Sequence, residues 1–190
     1  MGAPPGFFKE ILGGLDFGGV VPTALLAGGL DGAGRVWAFG EFYKHECTFD
    51  QLVEAMARGW EEWSVKRWIA DPSGKEEIQK LRNVGFDVVP ASHGNKIALR
   101  VQLIGARLNI SPQTKLPGMY ITPECPNLIT EIEGLAWRRH RDAPHTDNFD
   151  RSTPDHLVDA FSNILSEWDA VRSPFRMPKG VARVYGGIAG

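Results

Sequence analysis

The sequence predicts one α/β domain in which a mixed β-sheet is flanked by helices. Short apolar runs typical of strands alternate with amphipathic helical segments along the 190-residue chain. The first two strand-like runs are joined by the turn-forming sequence L-D-G-A-G, which predicts an antiparallel hairpin. The strand–helix–strand crossovers that follow imply a parallel part of the sheet with helices on its faces.

Composition and charge exclude several other classes of protein. Hydrophobic residues make up 43% and charged residues 23% of the chain, as in a globular domain with a full core. The net charge of −2 means that contact with nucleic acid requires a local basic patch. No run approaches the roughly 18 apolar residues of a membrane span, and M-G-A-P-P-G does not begin a signal peptide. Cys47 and Cys125 lack zinc-ligand spacing and fit a reducing compartment. Together these features predict a cytoplasmic protein without membrane contact.

Three regions are expected along the chain. Residues 1–12, which include two prolines, predict a linker or arm. Residues 13–172 carry the alternating elements and form the domain. Residues 173–190, with Pro and Gly, predict an irregular tail.

The first half of the domain contains strands and one long helix. Strands are predicted at 20–29 and 35–44, and a strand at 65–70 ends where Asp71-Pro72 stops it. The segment 49–63 has apolar residues at helical spacing. The predicted inner face of this helix consists of Leu52, Val53, Met56, Trp60 and Trp63.

The second half begins with a short helix, K-E-E-I-Q-K-L-R-N-V-G, that ends on Gly85 as a C-cap. The strand F-D-V-V-P-A-S and the helix N-K-I-A-L-R-V-Q-L-I-G-A-R-L follow. The predicted inner face of that helix consists of Ile97, Val101, Ile104 and Leu108.

An added hairpin or loop is expected near residues 111–150. It contains a short strand or hairpin, L-P-G-M-Y-I-T-P, the start of a helix at C-P-N-L-I-T-E-I-E-G-L, and a polar loop at 138–153. The closing helix has Thr153 as N-cap and Pro154 at its first position. Its apolar stripe consists of Leu157, Val158, Phe161, Ile164, Leu165 and Trp168.

Acidic residues stand where regular elements meet loops. Asp16 interrupts the first strand region, and Asp71 ends a strand. Asp155 and Asp159 are spaced i, i+4 near the start of the last helix and project from one face, with His156 beside them. Each has a simpler interpretation: Asp71-Pro72-Ser73-Gly74 is a good turn, the helix dipole favours Asp155, and Asp159 fits a solvated face.

Taken together, these acids predict a metal site. Carboxyl ends of adjacent strands meet at one edge of an α/β sheet, where ligands usually bind. Several carboxylates held together need protons or cations to offset their repulsion, and Mg²⁺ prefers oxygen ligands. Two such ions about 4 Å apart can activate water and stabilise the leaving oxygen in phosphodiester cleavage.

Three segments together, G-L-D-F-G-G, W-I-A-D-P-S-G and P-D-H-L-V-D-A-F, resemble the nuclease domain of the large terminase subunit of tailed bacteriophages. The helix N-K-I-A-L-R-V-Q-L-I and the segment L-I-T-E-I-E-G-L-A-W fit the same family. The resemblance covers about residues 13–165. It implies an RNase H-like fold and an endonuclease that cuts double-stranded viral DNA during genome packaging.

The resemblance also implies roles for the acids and a set of partners. Asp16 and Asp71 would be catalytic metal ligands for two Mg²⁺ or Mn²⁺ ions. A third ligand would come from the last helix, where Asp155 is the first choice and His156 and Asp159 follow closely. The expected partners are double-stranded DNA, an ATPase domain, the portal and the small terminase subunit, in the host cytoplasm. No G-x-x-x-x-G-K-[ST] loop is present, so this chain lacks the ATPase motor, and we expect a monomeric domain.

Contacts with duplex DNA require Lys and Arg near the acids. The predicted DNA-binding residues are Lys96, Arg100, Lys115, Arg138, Arg139 and Arg141. A solvated loop explains W-R-R-H-R equally well. His93 is equally well a residue of a helix cap, and Glu41 is either an outer acid or a product of strand alternation.

Three other functions remain open at this stage. Another RNase H-like nuclease, such as a junction resolvase, would use the same acids. An ATPase of the actin type shares G-x-D-x-G, but needs a longer chain and a second phosphate turn. A non-catalytic module that docks on DNA or the portal would not need intact Asp16, Asp71 and Asp155.

Overall fold

A computed structural model of the chain describes most of the domain. Backbone is described for residues 6–19, 21–92, 97–141 and 154–172, and side chains for the same residues except 97–102, 135–141 and 169–172. The strands are β1 (Phe8–Asp16), β2 (Thr23–Asp31), β3 (Val36–Lys44), β4 (Arg67–Ala70), β5 (Asp87–Pro90) and β6 (Met119–Ile121). The helices are α1 (Phe49–Trp63), α2 (Lys75–Asn83), α3 (Ile97–Leu108), α4 (Pro126–Arg141) and α5 (His156–Arg172).

The strands form one mixed sheet in the order β5-β4-β1-β2-β3-β6. The pairs β1–β2 and β2–β3 are antiparallel, whereas β1–β4, β4–β5 and β3–β6 are parallel. The predicted mixed α/β sheet with flanking helices is therefore confirmed. Its parallel strands β1, β4 and β5 all end at the same edge of the sheet.

Each face of the sheet is covered by its own set of helices. Alternation along β2 sends Ala24 and Leu26 to one side and Leu25 and Ala27 to the other. The first side packs against α3, α4 and α5 and includes Phe161 of α5, which is fully buried. The second side packs against α1 and α2. All nine residues of β2 are buried because both faces and both edges of this strand are covered.

The prediction of an arm at residues 1–12 is wrong for its last part, because β1 begins at Phe8. Phe8 to Leu12 pair with β2, whereas β4 reaches only Gly13 to Leu15. Because this half of β1 pairs with β2 only, it accommodates polar residues, and its sequence does not show the apolar pattern of a buried strand. The strand expected at 20–29 begins only at Thr23, and Asp16 is the last residue of β1. Residues 1–5 and the tail at 173–190 lie outside the described residues.

Helices α1 and α2 agree with the sequence prediction. Thr48 caps α1 through a capping box with Gln51, and Gly85 follows α2 with φ of +103°. The predicted inner face of α1 is correct for Leu52 and Met56, but Trp60 is 51% exposed. The sheet-facing position is instead Gly59, where the ring of Trp68 approaches within 2.9 Å of an ideal Cβ.

The region after α3 contains the predicted hairpin and a helix longer than expected. Ile110 bridges to Pro117 in a small antiparallel hairpin that leads into β6. Leu108 is 45% exposed rather than on the inner face of α3, where Ile104 is buried. The loop expected at 138–153 is wrong for 138–141, which extend α4, because basic residues suit a helix C-terminus.

Helix α5 crosses the sheet from the edge at which β1 ends. Every member of its predicted apolar stripe is buried. The helix starts at His156, two residues later than expected from Pro154, and Thr153 lies outside the described residues. Asn163 Nδ2 donates to the carbonyl of Leu15 at 3.2 Å, so this face of α5 is tied directly to the end of β1.

Gly14 allows α5 to approach the sheet closely. An ideal Cβ on Gly14 would lie 2.0 Å from the carbonyl oxygen of Ala160. This carbonyl is part of the helix backbone and cannot move aside alone. The lack of a side chain at position 14 therefore sets how near the start of α5 lies to Asp16.

We expect Gly14→Ala to lower the free energy of unfolding by about 2 to 3 kcal/mol, because α5 must shift to admit the methyl group. Urea unfolding measures the change. Gly19→Ala is the matched control, since no atom lies within 4 Å of its ideal Cβ. Equal stabilities of the two variants would contradict the close approach.

Among the described residues, no helix has the length and apolar character needed to cross a membrane.

Candidate active site

Asp16 and Asp71 lie at the carboxyl ends of adjacent parallel strands. The pairing of Leu15 with Ala70 puts the two acids side by side, and the Asp71 amide donates to the Leu15 carbonyl at 3.3 Å. Because side chains alternate along a strand, Asp16 lies on the same face of the sheet as Leu12, and Asp71 on the same face as Ile69. Leu12 and Ile69 both belong to the core beneath α5. Both carboxylates therefore face the side of the sheet that α5 covers.

The loops after β1 and β4 are fixed in place around these acids. Asp71 is 8% exposed, and its Oδ1 accepts from the Ser73 amide at 2.7 Å. The ring of Phe17 lies against Gly74, where an ideal Cβ would be 2.3 Å from it. Asp71 thus does form the turn that its sequence allows, and the same turn holds its carboxyl group beside Asp16.

His156 contacts Asp16 directly. Its Nδ1 lies 2.9 Å from Asp16 Oδ2, and the two side chains are only 17% and 14% exposed. The hydrogen bond to Asp16 raises the pKa of His156 above its usual value, an effect that burial partly opposes. The structure therefore joins a residue of the last helix to the acid of the first strand.

Asp155 and Asp159 flank His156 at the start of α5. Asp155 precedes the helix, and its carbonyl accepts from the Asp159 amide at 2.7 Å. Both side chains are half-buried. The positive end of the α5 dipole is directed to this edge of the sheet and favours negative charge there.

Two residues near the site, Glu131 and Tyr43, were not among the predicted site residues. Glu131, in α4, is 5% exposed, and its Oε2 accepts from the amides of Leu157 and Val158 at 2.8 and 3.0 Å. Tyr43, in β3, has its ring centroid 6.3 Å from that of His156. Glu131 belongs to the segment L-I-T-E-I-E-G-L-A-W, which fits the terminase family. The sequence could not reveal its role, because that role depends on contact with the start of α5.

The pKa values of Glu131 and Tyr43 are both raised. Burial raises the pKa of Glu131 to about 7, although hydrogen bonds from Val158 and Leu157 oppose the shift. Burial, followed by the charge of Glu131, raises the pKa of Tyr43 to about 12, and Asp155 and Asp16 contribute. These effects show that Tyr43, Glu131 and the acids at the sheet edge share one electrostatic environment.

We expect the metal-free protein to lose stability as the pH rises from about 5 to 8. A pKa raised on folding means that the folded chain holds the proton more tightly than the unfolded chain. For Glu131 the loss runs from the ordinary pKa of 4.5 to about 7 and amounts to about 3 kcal/mol. His156 extends the loss above about pH 6.5, until the pH passes its raised pKa.

Urea unfolding in EDTA across this pH range measures the effect. Glu131→Gln is expected to flatten the lower part of the curve and His156→Gln the upper part. A stability that rises steadily from pH 5 to 8 in the parent protein would contradict these shifts.

The donor atoms at this edge suit a hard divalent cation, since carboxylate oxygens and an imidazole are ligands for Mg²⁺ and Mn²⁺. Within the described part of the chain, no three His, Cys, Asp or Glu side chains stand close enough together to hold a metal. Asp16 and His156 instead contact each other. The raised pKa means that His156 holds its proton more tightly, and a cation that binds to this pair has to displace that proton. The carboxylates and the imidazole are nevertheless donors that fit such a cation.

The predicted DNA-binding residues are distributed over both ends of the sheet. Helix α3, which carries Arg100, begins shortly after the carboxyl end of β5, whereas Lys96 and His93 are outside the described residues. Arg138, Arg139 and Arg141 belong to the last turns of α4. Lys115 lies in the hairpin before β6, whose start pairs with Val36 at the end of the sheet away from Asp16. Lys115, predicted to bind DNA near the acids, therefore lies at the other end of the sheet from them.

Glu41 has a structural role that accounts for its position. Its Oε1 accepts from the amide and side chain of Asn127 at 2.9 and 2.7 Å, and its Oε2 from the Leu128 amide at 3.0 Å. Glu41 thus caps the start of α4.

Comparison with known proteins gives no match to a protein-family model and none to a curated protein sequence. Solved structures do match. The large terminase of a thermophilic bacteriophage has a TM-score of 0.63 at 20% identity over 89% of this chain. The match covers 41% of that terminase, so this chain spans less than half of its length.

Two isolated nuclease domains match over most of their length. That of the bacteriophage SPP1 large terminase, solved with bound Mn, has a TM-score of 0.58 at 22% identity, covering 84% of this chain and 87% of that one. The P22 large terminase nuclease domain has a TM-score of 0.61 at 17% identity, covering 86% and 82%. The chain therefore has the RNase H-like fold of large terminase nuclease domains, and the resemblance found in the sequence is confirmed at the level of the fold.

Proposed function

We propose that this chain is a divalent-metal-dependent endonuclease that cuts double-stranded DNA, and that it is the nuclease part of a viral genome-packaging terminase. The observation that carries the proposal is that Asp16 and Asp71 end adjacent parallel strands and that His156 contacts Asp16 at the same edge of the sheet. These residues lie on three different elements, two of them strands separated in sequence by a helix and a further hairpin. The similarity in fold to terminase nuclease domains, one of them solved with Mn, supports the same assignment.

Asp16, Asp71 and a residue at the start of α5 would hold the metal ions. When bound, two Mg²⁺ or Mn²⁺ ions supply an activated water and neutralise the charge on the leaving 3′-oxygen. His156 has to give up its proton before its Nδ1 can act as a ligand, so activity should rise as the pH passes the raised pKa of His156. The start of α5 adds a positive potential that favours a bound phosphate.

The proposal extends to the whole assembly. In it, the chain acts beside an ATPase domain, a portal and a small terminase subunit in the host cytoplasm, and is itself monomeric when isolated. A junction resolvase and a non-catalytic docking module are the alternatives, and neither has a specific observation in its favour. The placement of Asp16 and Asp71 at the ends of adjacent strands argues against a module that has lost catalysis.

A cleavage assay with several substrates tests the proposal. Supercoiled plasmid, linear duplex, a four-way junction and an RNA–DNA hybrid are incubated with Mg²⁺, with Mn²⁺ or with EDTA. We expect cleavage of plasmid and linear duplex with either metal and none in EDTA. Selective cleavage of the junction would favour a resolvase, and no cleavage of any substrate would favour a docking module.

The positions of Arg100 and Lys115 relative to the acids give a further prediction about DNA binding. We expect Arg100→Ala to reduce the slope of log K against log salt concentration by about one, because one phosphate contact is lost. Lys115→Ala should leave the slope unchanged, since its hairpin stands at the other end of the sheet. Fluorescence anisotropy of a labelled duplex in EDTA measures both slopes.

Lys80→Ala is the control for a general loss of charge, because Lys80 is exposed on α2, on the opposite face of the sheet. A larger effect of Lys115→Ala than of Arg100→Ala would show that DNA binds along the hairpin instead.

A further inference from the structure

The start of α5 is capped by a residue from another helix. Leu157 and Val158 are the second and third residues of α5, whose amides lack partners within the helix. Both amides donate to Glu131 Oε2, at 2.8 and 3.0 Å. Glu131 is 5% exposed. A buried carboxyl group is costly unless it accepts hydrogen bonds, and these two amides supply them.

The usual acceptor for these amides would be the residue just before the helix. An Asp at the N-cap normally accepts from the second or third amide through its own side chain. Here that residue is Asp155, and the two amides donate to Glu131 instead. The capping role is thereby transferred from Asp155, which stands beside His156, to a residue of α4.

A second carboxylate holds α4 itself in the same way. Glu41 of β3 accepts from the amides of Asn127 and Leu128, the second and third residues of α4. The central sheet thus fixes the start of α4, and α4 fixes the start of α5. The first turn of α5 is in turn the segment that presents His156 to Asp16.

We infer that Glu131 is a positioning residue that caps α5 in place of Asp155, so that Asp155 and His156 are presented to the metal site. This inference rests on the proposed function. Glu131 acts through the backbone of α5, and its predicted effect therefore depends on its ability to accept two hydrogen bonds. A residue that contributes negative charge to the metals would behave differently.

Two substitutions of similar volume separate these effects. Glu131→Gln keeps an oxygen acceptor at the same position and removes the charge. Glu131→Met keeps the volume and removes the acceptor. By isothermal titration without DNA, we expect Glu131→Met to weaken Mn²⁺ affinity about ten- to hundredfold, as for losses of supporting contacts at metal sites. Glu131→Gln should remain within about threefold of the parent protein, a smaller loss than that range.

Asp31→Asn is the matched control. Asp31 is 2% exposed, and its Oδ1 also accepts from two amides, those of Ala33 and Arg35, at 2.8 and 2.9 Å. It stands at the end of β2, opposite to the site. Its substitution should leave Mn²⁺ affinity unchanged even where it costs stability.

A fourth variant covers the case in which Glu131→Met does not fold. Glu131→Asp keeps the charge but withdraws the carboxylate by one methylene group, so it should bind Mn²⁺ more weakly than Glu131→Gln. If Glu131→Asp retains the parent affinity while Glu131→Gln loses it, charge and not capping is what matters, and the inference is wrong. Parent-like affinity of Glu131→Met would also overturn it.

Hydrogen exchange of the metal-free protein separates this inference from the proposed function. The amides of Leu157 and Val158 should exchange at least about tenfold faster in Glu131→Met than in the parent and in Glu131→Gln. Equal protection in all three proteins would overturn the inference. A parent protein that binds no Mn²⁺ would overturn the proposed function, while the exchange rates still report on the cap.

Discussion

Replacement of Asp16 by Asn is expected to reduce DNA cleavage at least about a thousandfold, which corresponds to about 4 kcal/mol of transition-state stabilisation. Asp16 ends β1, which pairs in parallel with β4, and it lies beside Asp71 and in contact with His156. Asn keeps the size of the side chain but lacks the negative charge that a cation needs. Initial rates of plasmid nicking in Mg²⁺ and in Mn²⁺ measure the loss.

Asp87→Asn is the matched control for this change of a carboxylate to an amide. Asp87 is 48% exposed, pairs with Arg67 and begins β5, away from the strand ends that carry the acids. We expect it to cut DNA at the rate of the parent protein. Cleavage by Asp16→Asn within tenfold of the parent would mean that the nuclease activity resides elsewhere.

The second large effect is expected at the start of α5. His156→Ala should weaken Mn²⁺ binding about a hundredfold, because it removes the side chain that lies 2.9 Å from Asp16. Asp155→Ala and Asp159→Ala should each have a smaller effect. The sequence favoured Asp155 as the third ligand, whereas the contact with Asp16 now favours His156.

Isothermal titration with Mn²⁺ compares the three variants with Glu167→Ala, which lies further along α5 and should bind as the parent does. If His156→Ala bound Mn²⁺ normally and Asp159→Ala did not, the third ligand would have to be reassigned to Asp159. Circular dichroism of each variant checks that α5 remains folded.

Much of the fold could be predicted from the sequence because its signals are local. The hairpin at Asp31 to Gly34, the glycine that follows α2 and the apolar stripe of α5 each depend on residues close together in the chain. The structure confirms each of them. The alternation of strands and helices then implied the parallel pairs.

What the sequence could not predict depends on contacts between distant residues. The polar first half of β1 becomes a strand because β2 pairs with it, so Lys9 and Glu10 mislead a prediction based on composition. Trp60 fits the helical spacing of α1, but the ring of Trp68 leaves room at that face only for Gly59.

The same distinction applies to the candidate site. Asp16 and Asp71 were identified because each stands where a strand ends, which is a local feature. Glu131 and Tyr43 have no such feature: one is an acid in a helix, and the other is an aromatic residue in a strand. Only the packing of α4 and α5 against β3 brings them to the same edge as the acids.

The most direct test of a metal site at Asp16 and Asp71 is a crystal of the protein soaked in Mn²⁺ and measured for anomalous scattering. We expect a peak between Asp16 and Asp71, where oxygens of both carboxylates would bind the cation. We also expect His156 Nδ1 to leave its hydrogen bond with Asp16 or to join the metal. An Asp16–His156 contact that persists with no anomalous peak beside Asp71 would contradict a metal site at these acids.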